Sequence, residues 1–267
     1  YYFRDITYQT EVGRLKNEFL TTAAHELRTP LASVYGFAEL LLDARIEDAK
    51  RQRAVQIIHR QATVLKHLVN ELLDLARIDS LRGRDFVAEE VDLRRIAELC
   101  TEALAQPNAP HRLRLASPDT SDPPALVQVD PAKLQQALTN LIGNALKYSP
   151  PHTTVVIGLH RRQEQGRDWI GLRVSDQGIG MSEDEIEHAF DRFYRADPSG
   201  HVLGAGLGLS IVREIMEIHQ GRVELQSASG VGTTVTLWVP AMPPAPADAT
   251  PASATTGDAE PAEAAPA

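Results

Sequence analysis

The stretch FLTTAAHELRTPL, residues 19–31, lies within a long run of helical spacing and decides how the first part of the chain folds. Apolar residues recur in steps of three and four on both sides of it, which is typical of one buried stripe on an α-helix. The stripe consists of Val12, Leu15, Phe19, Ala23, Leu27, Leu31, Val34, Ala38 and Leu41. The sequence therefore predicts one long helix through this stretch.

A second stripe with alternating steps of three and four follows a short polar connection, residues 43–48. It consists of Val55, Ile58, Ala62, Leu65, Val69, Leu72 and Ala76. The spacing is that of a coiled-coil seam, and the short connection predicts an antiparallel helical hairpin. Two helices cover such stripes poorly, so we expect two copies to form a dimeric four-helix bundle. The alternative is that both helices pack on the rest of their own chain.

The composition limits the function classes that remain. The 267 residues, 43% of them hydrophobic, are enough for two domains with cores, and the formal charge of −9 argues against a nucleic-acid partner. A single cysteine, Cys100, excludes an internal disulfide and a cysteine-based metal cluster. The most apolar window, residues 31–42, is shorter than a bilayer span. We expect a cytoplasmic fragment of a longer protein, without membrane contact of its own.

The patterns divide the chain into four segments. Residues 1–10 are expected to end an upstream domain and to start a helix, and residues 11–82 to form the helical domain. Residues 83–240 are expected to form a second domain, and residues 241–267, rich in Ala and Pro, to be a disordered tail. In the second domain, strands are expected at residues 86–91, 112–115, 125–129, 153–160, 169–175, 221–227 and 233–239. Helices are expected after an N-cap at Asp92 and at residues 131–147, 182–190 and 208–219. This order favours an α+β fold with a mixed sheet covered on one face.

The first candidate site is His25 on the long helix. At 100° per residue it points away from Ala23 and Leu27, so its imidazole faces outward. Glu26 could accept a proton from it, Thr29 lies one turn further on the same face, and Pro30 should kink or loosen the helix here. The alternative is an ordinary surface histidine.

The second candidate site is a polar stripe on the helix after Pro131. Asn140, Asn144 and Lys147 follow at spacings of four and three and so share one helix face. Two amides and an ammonium group can hold a hydrated divalent ion and polyphosphate oxygens. The alternative is a solvated polar face.

Two glycine motifs add weight to a phosphate ligand. DQGIG, residues 176–180, follows a strand, and GAGLGL, residues 204–209, opens a helix. Glycines allow close approach of backbone to a ligand, helix N-termini bind anions, and Asp176 offers an acceptor to an exocyclic amine. No strand runs into the second motif, so a Rossmann site fails on context. Residues 190–201 between the motifs are interpreted as a lid with aromatic and basic contacts.

In order and spacing, these four motifs resemble the boxes of bacterial two-component sensor histidine kinases, from about Leu15 to Pro240. The resemblance implies a helical hairpin that forms a dimeric four-helix bundle, followed by an α+β sandwich ATP-binding domain of the histidine kinase and gyrase type. It implies that His25 is the phosphoacceptor and Glu26 the base for autophosphorylation. Thr29 would orient water when the phosphorylated partner is dephosphorylated.

The resemblance also implies ATP and Mg²⁺ as cofactors. Asn144 would ligate Mg²⁺, Asn140 and Lys147 would face the phosphates, and Asp176 would receive the adenine amine. The remaining members of the pocket and its lid would be Tyr148, Gly178, Gly180, Phe193, Arg195, Gly204, Gly206, Gly208 and Leu209. Residues 198–203 read PSGHVL where many relatives carry Ser-Arg and paired glycines, so the lid departs from the family pattern.

The implied partners are a second copy of the chain, a response-regulator receiver domain and an upstream sensor domain. Residues 3–7 resemble the end of a PAS sensor domain. Two alternatives remain open: an ATPase of the gyrase or chaperone type, and a scaffold that binds ATP without phosphorylating itself. The ATPases usually carry a glutamate where Asn140 stands and lack the helix of His25. Membrane anchoring of the parent protein is left open as well.

Overall fold

The computed structural model describes residues 7–43, 46–81, 86–105, 112–116, 123–195 and 206–242, without the side chains of residues 7–18 and 77–81. Its first part is an antiparallel hairpin of helix α1, Thr7–Leu42, and helix α2, Asp48–Leu81. The hairpin prediction is confirmed. Helix α1 continues through Pro30 to its end, and it already includes residues 7–10, where the sequence places the start of a helix.

The hairpin by itself leaves much of its apolar surface uncovered. The exposed large apolar residues of the two helices are Leu20, Leu31, Tyr35, Leu40, Leu42, Val55, Val69 and Leu73. On α2 the buried positions are Ala54, Leu68 and Leu75, each one residue before a member of the predicted seam. Among the described side chains, the predicted seam of α2 is thus half open in a single hairpin.

The second part is an α+β domain, as the sequence predicts. Strands β2, β4, β5, β7 and β6 form one sheet in that order, in which β2 and β4 are parallel and the other neighbours antiparallel. Strands β1 and β3 form a separate antiparallel pair. The elements are β1 Glu89–Asp92, α3 Leu93–Leu104, β2 Leu113–Leu115, β3 Leu126–Val129, α4 Pro131–Tyr148, β4 Val155–Glu164, β5 Arg167–Ser175, α5 Glu183–His188, α6 Gly208–Ile218, β6 Arg222–Ala228 and β7 Gly232–Pro240.

Local sequence explains where the helices begin. The carboxylate of Asp92 accepts a hydrogen bond from the amide of Arg94, and Asp130 caps α4 directly before Pro131 at its first turn. Ser182 and Glu185 form a reciprocal capping box at the start of α5. The N-cap predicted at Asp92 is confirmed.

The core lies between the sheet and helices α3, α4 and α6. Alternate residues of the strands point toward the helices, which is why Ile170, Leu172 and Val174 of β5 are all buried. The same cluster includes Leu68 and Leu75 of α2. One face of α2 therefore packs on the second domain of its own chain. For this face, the alternative to a dimeric bundle, which is packing on the rest of the same chain, applies.

The strand predicted at residues 86–91 begins later than expected. Strand β1 starts at Glu89, while the ring of Phe86 stands edge-on against His219, with 4.8 Å between the ring centres. The amide of Val87 donates to a carboxylate oxygen of Asp130 at 3.3 Å. Pairing with β3 cannot extend further, because Asp130 already caps the next helix.

Only part of the expected boundaries of the second domain lies within the described residues. The start expected at residue 83 lies outside the described residues, as do residues 1–6 and 243–267. Ala241 and Met242, assigned to the tail, pair with β3 through Val127 and Leu126. Among the described residues, no helix is both long and apolar enough to cross a membrane.

Gly171 on β5 should tolerate no side chain, because a Cβ there would lie 2.8 Å from Thr236 and from the ring of Trp238. We expect Gly171→Ala to lower the free energy of unfolding by about 1–3 kcal/mol. Denaturant unfolding followed by tryptophan fluorescence measures this, since both tryptophans, Trp169 and Trp238, lie in this domain.

Gly158→Ala on the adjacent strand β4 is the matched control. Its added Cβ would meet nothing closer than 3.6 Å, at the ring of His160, so stability should change little. Equal losses for both variants would contradict the packing argument.

Candidate functional site

A cavity of about 740 Å³ lies where α4, α6, β5 and β7 meet, with α2 across it. This volume falls in the range of ordinary ligand pockets. From the second domain, its lining includes Asn140, Asn144, Lys147, Tyr148, Asp176, Gly180, Tyr194, Arg195, Gly206, Gly208, Leu209 and Thr233. The structure thus brings together residues of all three motifs that the sequence assigned to this domain.

The amide stripe of α4 forms one wall of the cavity. Asn140, Asn144 and Lys147 are half-buried and line it together, as their spacing predicts. The side-chain amide of Asn140 donates to the carbonyl of Gly208 at 3.5 Å, which ties α4 to the start of α6. The three residues thus share one wall of a cavity instead of a fully exposed helix face.

Asp176 is held rigidly at the end of β5. Its Oδ1 accepts hydrogen bonds from the amides of Gly178 at 2.7 Å and Thr233 at 3.2 Å. Burial raises the pKa of this carboxyl group, and the two amides act in the opposite direction. Because both bonds fall on Oδ1, the second oxygen is available to a hydrogen-bond donor in the cavity.

Several glycines of the two motifs are required by the conformation and close packing of the backbone. Gly180 has a φ of +64°, and a Cβ there would lie 1.9 Å from the carbonyl oxygen of Ala228. Gly206 has a φ of +73° and lies against the backbone of Phe193 and Tyr194. Gly178 does not line the cavity but packs on the carbonyl of Tyr148. Gly204 lies outside the described residues.

Phe193, which the resemblance places in the pocket and its lid, lies elsewhere in the structure. Its ring does not line the cavity and lies 5.4 Å from the ring of Phe19 on α1. Its backbone has a φ of +66° and its amide donates to Gly206, and this turn directs the ring toward the hairpin. Tyr194 and Arg195 line the cavity instead.

Lys147 is the electrostatic centre of the cavity. Burial and the nearby Arg195 lower the pKa of its ammonium group to about 8, against the opposing effect of Glu71 on α2. Two cations held this close in a half-buried site favour an anionic ligand. The wall of α4 therefore suits phosphate oxygens.

The residues also fit a magnesium ion that shares its coordination with phosphate. Within the described part of the chain, no three His, Cys, Asp or Glu side chains converge on a metal position. The protein thus supplies no complete cage, and Asn144 would offer one amide oxygen. Mg²⁺ commonly takes few protein ligands and completes its shell with phosphates and water.

His25 is exposed on α1, as predicted, beside the half-buried Glu26. The hydroxyl of Thr29 donates to the carbonyl of His25 at 3.4 Å, which places Thr29 one turn along the same face. His25 does not line the cavity. The hairpin residues that line the cavity all belong to α2. They are His59, Arg60, Thr63, Val64, His67, Leu68 and Glu71.

Sequence reasoning missed these α2 residues and Thr233, and it included Tyr194 only as part of the lid, residues 190–201. The helical spacing of Arg60, Val64, His67 and Glu71 marks one face of α2, but its mixed polarity points to no particular neighbour. Only the packing of the two domains shows what that face contacts.

Comparison with known families identifies both parts of the chain. Residues 15–81 match the His Kinase A (phospho-acceptor) domain. Residues 129–243 match the family of histidine kinase-, DNA gyrase B- and HSP90-like ATPases. The phospho-acceptor match covers the hairpin of His25, and the ATPase match covers the cavity.

Similar whole proteins are sensor kinases and related sensory proteins. The chain is 32% identical to the sensor histidine kinase WalK of Bacillus subtilis over 241 residues, which is 88% of this chain and 38% of WalK. It is 34% identical to drug sensory protein A of Synechocystis, over 86% of this chain and 36% of that protein. The chain thus spans less than two fifths of either relative.

Solved structures agree on the fold. The histidine kinase AdeS of Acinetobacter baumannii matches 81% of this chain and 98% of its own, with a TM-score of 0.59 at 22% identity. Full-length ShkA, solved in complex with AMPPNP, matches 85% of this chain and 46% of its own, with a TM-score of 0.59 at 25% identity.

Gly180→Ala should unfold the loop beside Asp176, because the added Cβ meets a backbone carbonyl in a left-handed conformation. We expect a loss of more than about 2 kcal/mol in the free energy of unfolding. Gly208→Ala is the control, since its Cβ would lie 3.7 Å from the amide of Asn144 and helix α6 accepts alanine. Thermal unfolding of both variants measures the difference, and similar midpoints would contradict it.

Proposed function

Because the chain belongs to the bacterial two-component sensor histidine kinases and carries their catalytic portion, we propose that it transfers the γ-phosphoryl group of ATP to His25. A response-regulator aspartate then takes the group from His25. The observation that carries this proposal is the combination of an exposed His25 on the hairpin with a half-buried cationic cavity on the adjoining domain.

The cavity holds the nucleotide by two different chemistries. The open oxygen of Asp176 accepts a hydrogen bond from the adenine amine, and Tyr148 lines the same end. Lys147, with Arg195 beside it, takes the phosphates, and Asn144 ligates Mg²⁺. The ion supplies charge neutralisation at the phosphates, so the protein needs mainly to position the reactants.

At the acceptor, Glu26 takes the proton of the imidazole so that the other ring nitrogen can attack phosphorus. The N–P bond forms as the bond from the γ-phosphorus to the bridging oxygen breaks, and ADP leaves. Because α2 rather than His25 borders the cavity, transfer requires the ATP-binding domain to shift along the hairpin or to serve a second copy.

A second copy is part of the proposal. The uncovered apolar side chains of α1 and α2, among them Leu31, Tyr35 and Val69, need a partner surface, and a homodimeric four-helix bundle supplies it. The regulator receiver domain is the phosphoryl acceptor and an upstream sensor domain the source of the signal. We place the fragment in the cytoplasm. The same hairpin supports a phosphatase activity toward the regulator, in which Thr29 aligns the water.

His25→Gln should abolish autophosphorylation and leave ATP affinity nearly unchanged, because acceptor and cavity lie on different elements. Incubation with γ-labelled ATP and Mg²⁺ measures the first, as acid-labile and base-stable label on the protein, and calorimetry measures the second. His152→Gln, an exposed histidine of the ATP-binding domain, is the control and should keep its label. Label retained in His25→Gln would contradict the assignment.

Glu26 and Thr29 should divide the two activities between them. We expect Glu26→Gln to lower autophosphorylation at least tenfold with a smaller effect on regulator dephosphorylation, and Thr29→Ala to do the reverse. Thr29→Ser keeps the hydroxyl and should keep the phosphatase rate.

Time courses with a purified regulator give both rates on one preparation. Equal losses in both activities for Glu26→Gln and Thr29→Ala would show that the changes merely distort the helix near Pro30.

A further inference from the structure

A carboxylate that the proposed chemistry does not use lies in the nucleotide cavity. Glu71 of α2 is half-buried and lines the cavity together with Lys147 and Arg195. These are the cations to which the proposed function assigns the phosphates. The carboxyl group of Glu71 therefore lies where an anionic ligand would place its negative charge.

The packing of α2 explains why this carboxylate is there. Leu68, Glu71 and Leu75 follow at spacings of three and four, so they share one helix face. Both leucines are buried in the core of the ATP-binding domain, at 3% and 0% exposure. Burying them carries Glu71 into the cavity.

A polar contact fixes the same docking one turn away from Glu71. The side-chain amide of Gln136 on α4 donates to Oδ2 of Asp74 on α2 at 2.6 Å. The contact between α2 and the ATP-binding domain is thus a defined interface with apolar and polar parts.

Burial makes the charged forms of both Glu71 and Lys147 unfavourable at this interface. Burial raises the pKa of Glu71 to about 7, although Lys147 acts to lower it, and Asp74 adds to the rise. Lys147 in turn loses basicity through burial and Arg195, and Glu71 offsets part of that loss. A polyphosphate would satisfy Lys147 with more negative charge and would repel Glu71.

We propose that Glu71 is an internal competitor of the nucleotide phosphates, which docks α2 on the ATP-binding domain when the cavity lacks nucleotide and is expelled by ATP. The inference rests on the proposed nucleotide site. Binding and docking then oppose each other, and by linkage each weakens the other to the same degree. Expulsion of Glu71 frees the ATP-binding domain to approach a phosphoacceptor.

Whether α2 opposes or favours ATP binding through Glu71 must be measured by changing Glu71 alone. Arg60 lines the cavity from the same helix together with His59 and His67, and its guanidinium group would attract phosphates. Neutralising Glu71 alone leaves those residues in place.

Calorimetric titration of the chain with ATP and Mg²⁺ tests the competition. We expect Glu71→Gln to bind ATP about three- to tenfold more tightly than the unmodified chain. Glu47→Gln is the control, because Glu47 carries the same charge beside the same helix, paired with Lys50 in solvent. Its affinity should change less than about twofold. Unchanged or weaker binding by Glu71→Gln would overturn the inference.

A crosslinking measurement tests the docking directly. Asp74→Cys and Gln136→Cys place a thiol pair across the interface, and the native Cys100 is buried. A short bis-maleimide should join the pair rapidly without nucleotide and at least several-fold more slowly with ATP. Faster crosslinking with ATP would overturn the inference while leaving the proposed function intact. Absence of ATP binding by the unmodified chain would overturn both.

Discussion

The partial burial of Lys147 beside Arg195 is the constraint on which the rest of the site depends. A half-buried ammonium group next to a guanidinium is electrostatically unfavourable, and the lowered pKa of Lys147 records this. The cavity therefore needs an anion. In the structure the carboxyl group of Glu71 on the hairpin lines the cavity with these cations, and in the proposed reaction the polyphosphate of ATP takes its place.

The two faces of α2 connect this electrostatic constraint to the position of the ATP-binding domain. One face, with Leu68 and Leu75, packs into the core of the ATP-binding domain, and the neighbouring face, with Val55 and Val69, stays exposed for a second hairpin. The helix can thus hold the ATP-binding domain and belong to a dimeric bundle simultaneously. His25 stands on the other helix, so the proposed phosphoryl transfer requires the first contact to loosen while the proposed contact with a second hairpin persists.

Local sequence patterns were sufficient for the hairpin, for most elements of the second domain and for the α4 wall of the cavity. The three-and-four spacing predicts the hairpin, and the spacing of Asn140, Asn144 and Lys147 predicts their common wall because helix geometry alone determines it. Asp92 predicts the helix that it caps for the same local reason.

The misses all involve contacts between distant parts of the chain. Phe86 packs on His219 instead of belonging to the first strand, and Phe193 turns toward Phe19 instead of the nucleotide cavity. The cavity-facing side of α2 has ordinary mixed polarity, so no periodicity identifies it. Such contacts depend on how the domains pack, which one helix or strand does not encode.

The central claim is that a cationic cavity on one domain supplies a phosphoryl group to an exposed histidine on another. The most direct measurement is to incubate the unmodified chain with ATP and Mg²⁺ and locate the protein-bound phosphate by mass spectrometry under alkaline conditions. The account predicts a phosphoramidate on His25. Steady release of inorganic phosphate without a phosphorylated chain, or a phosphate on any other residue, would contradict it.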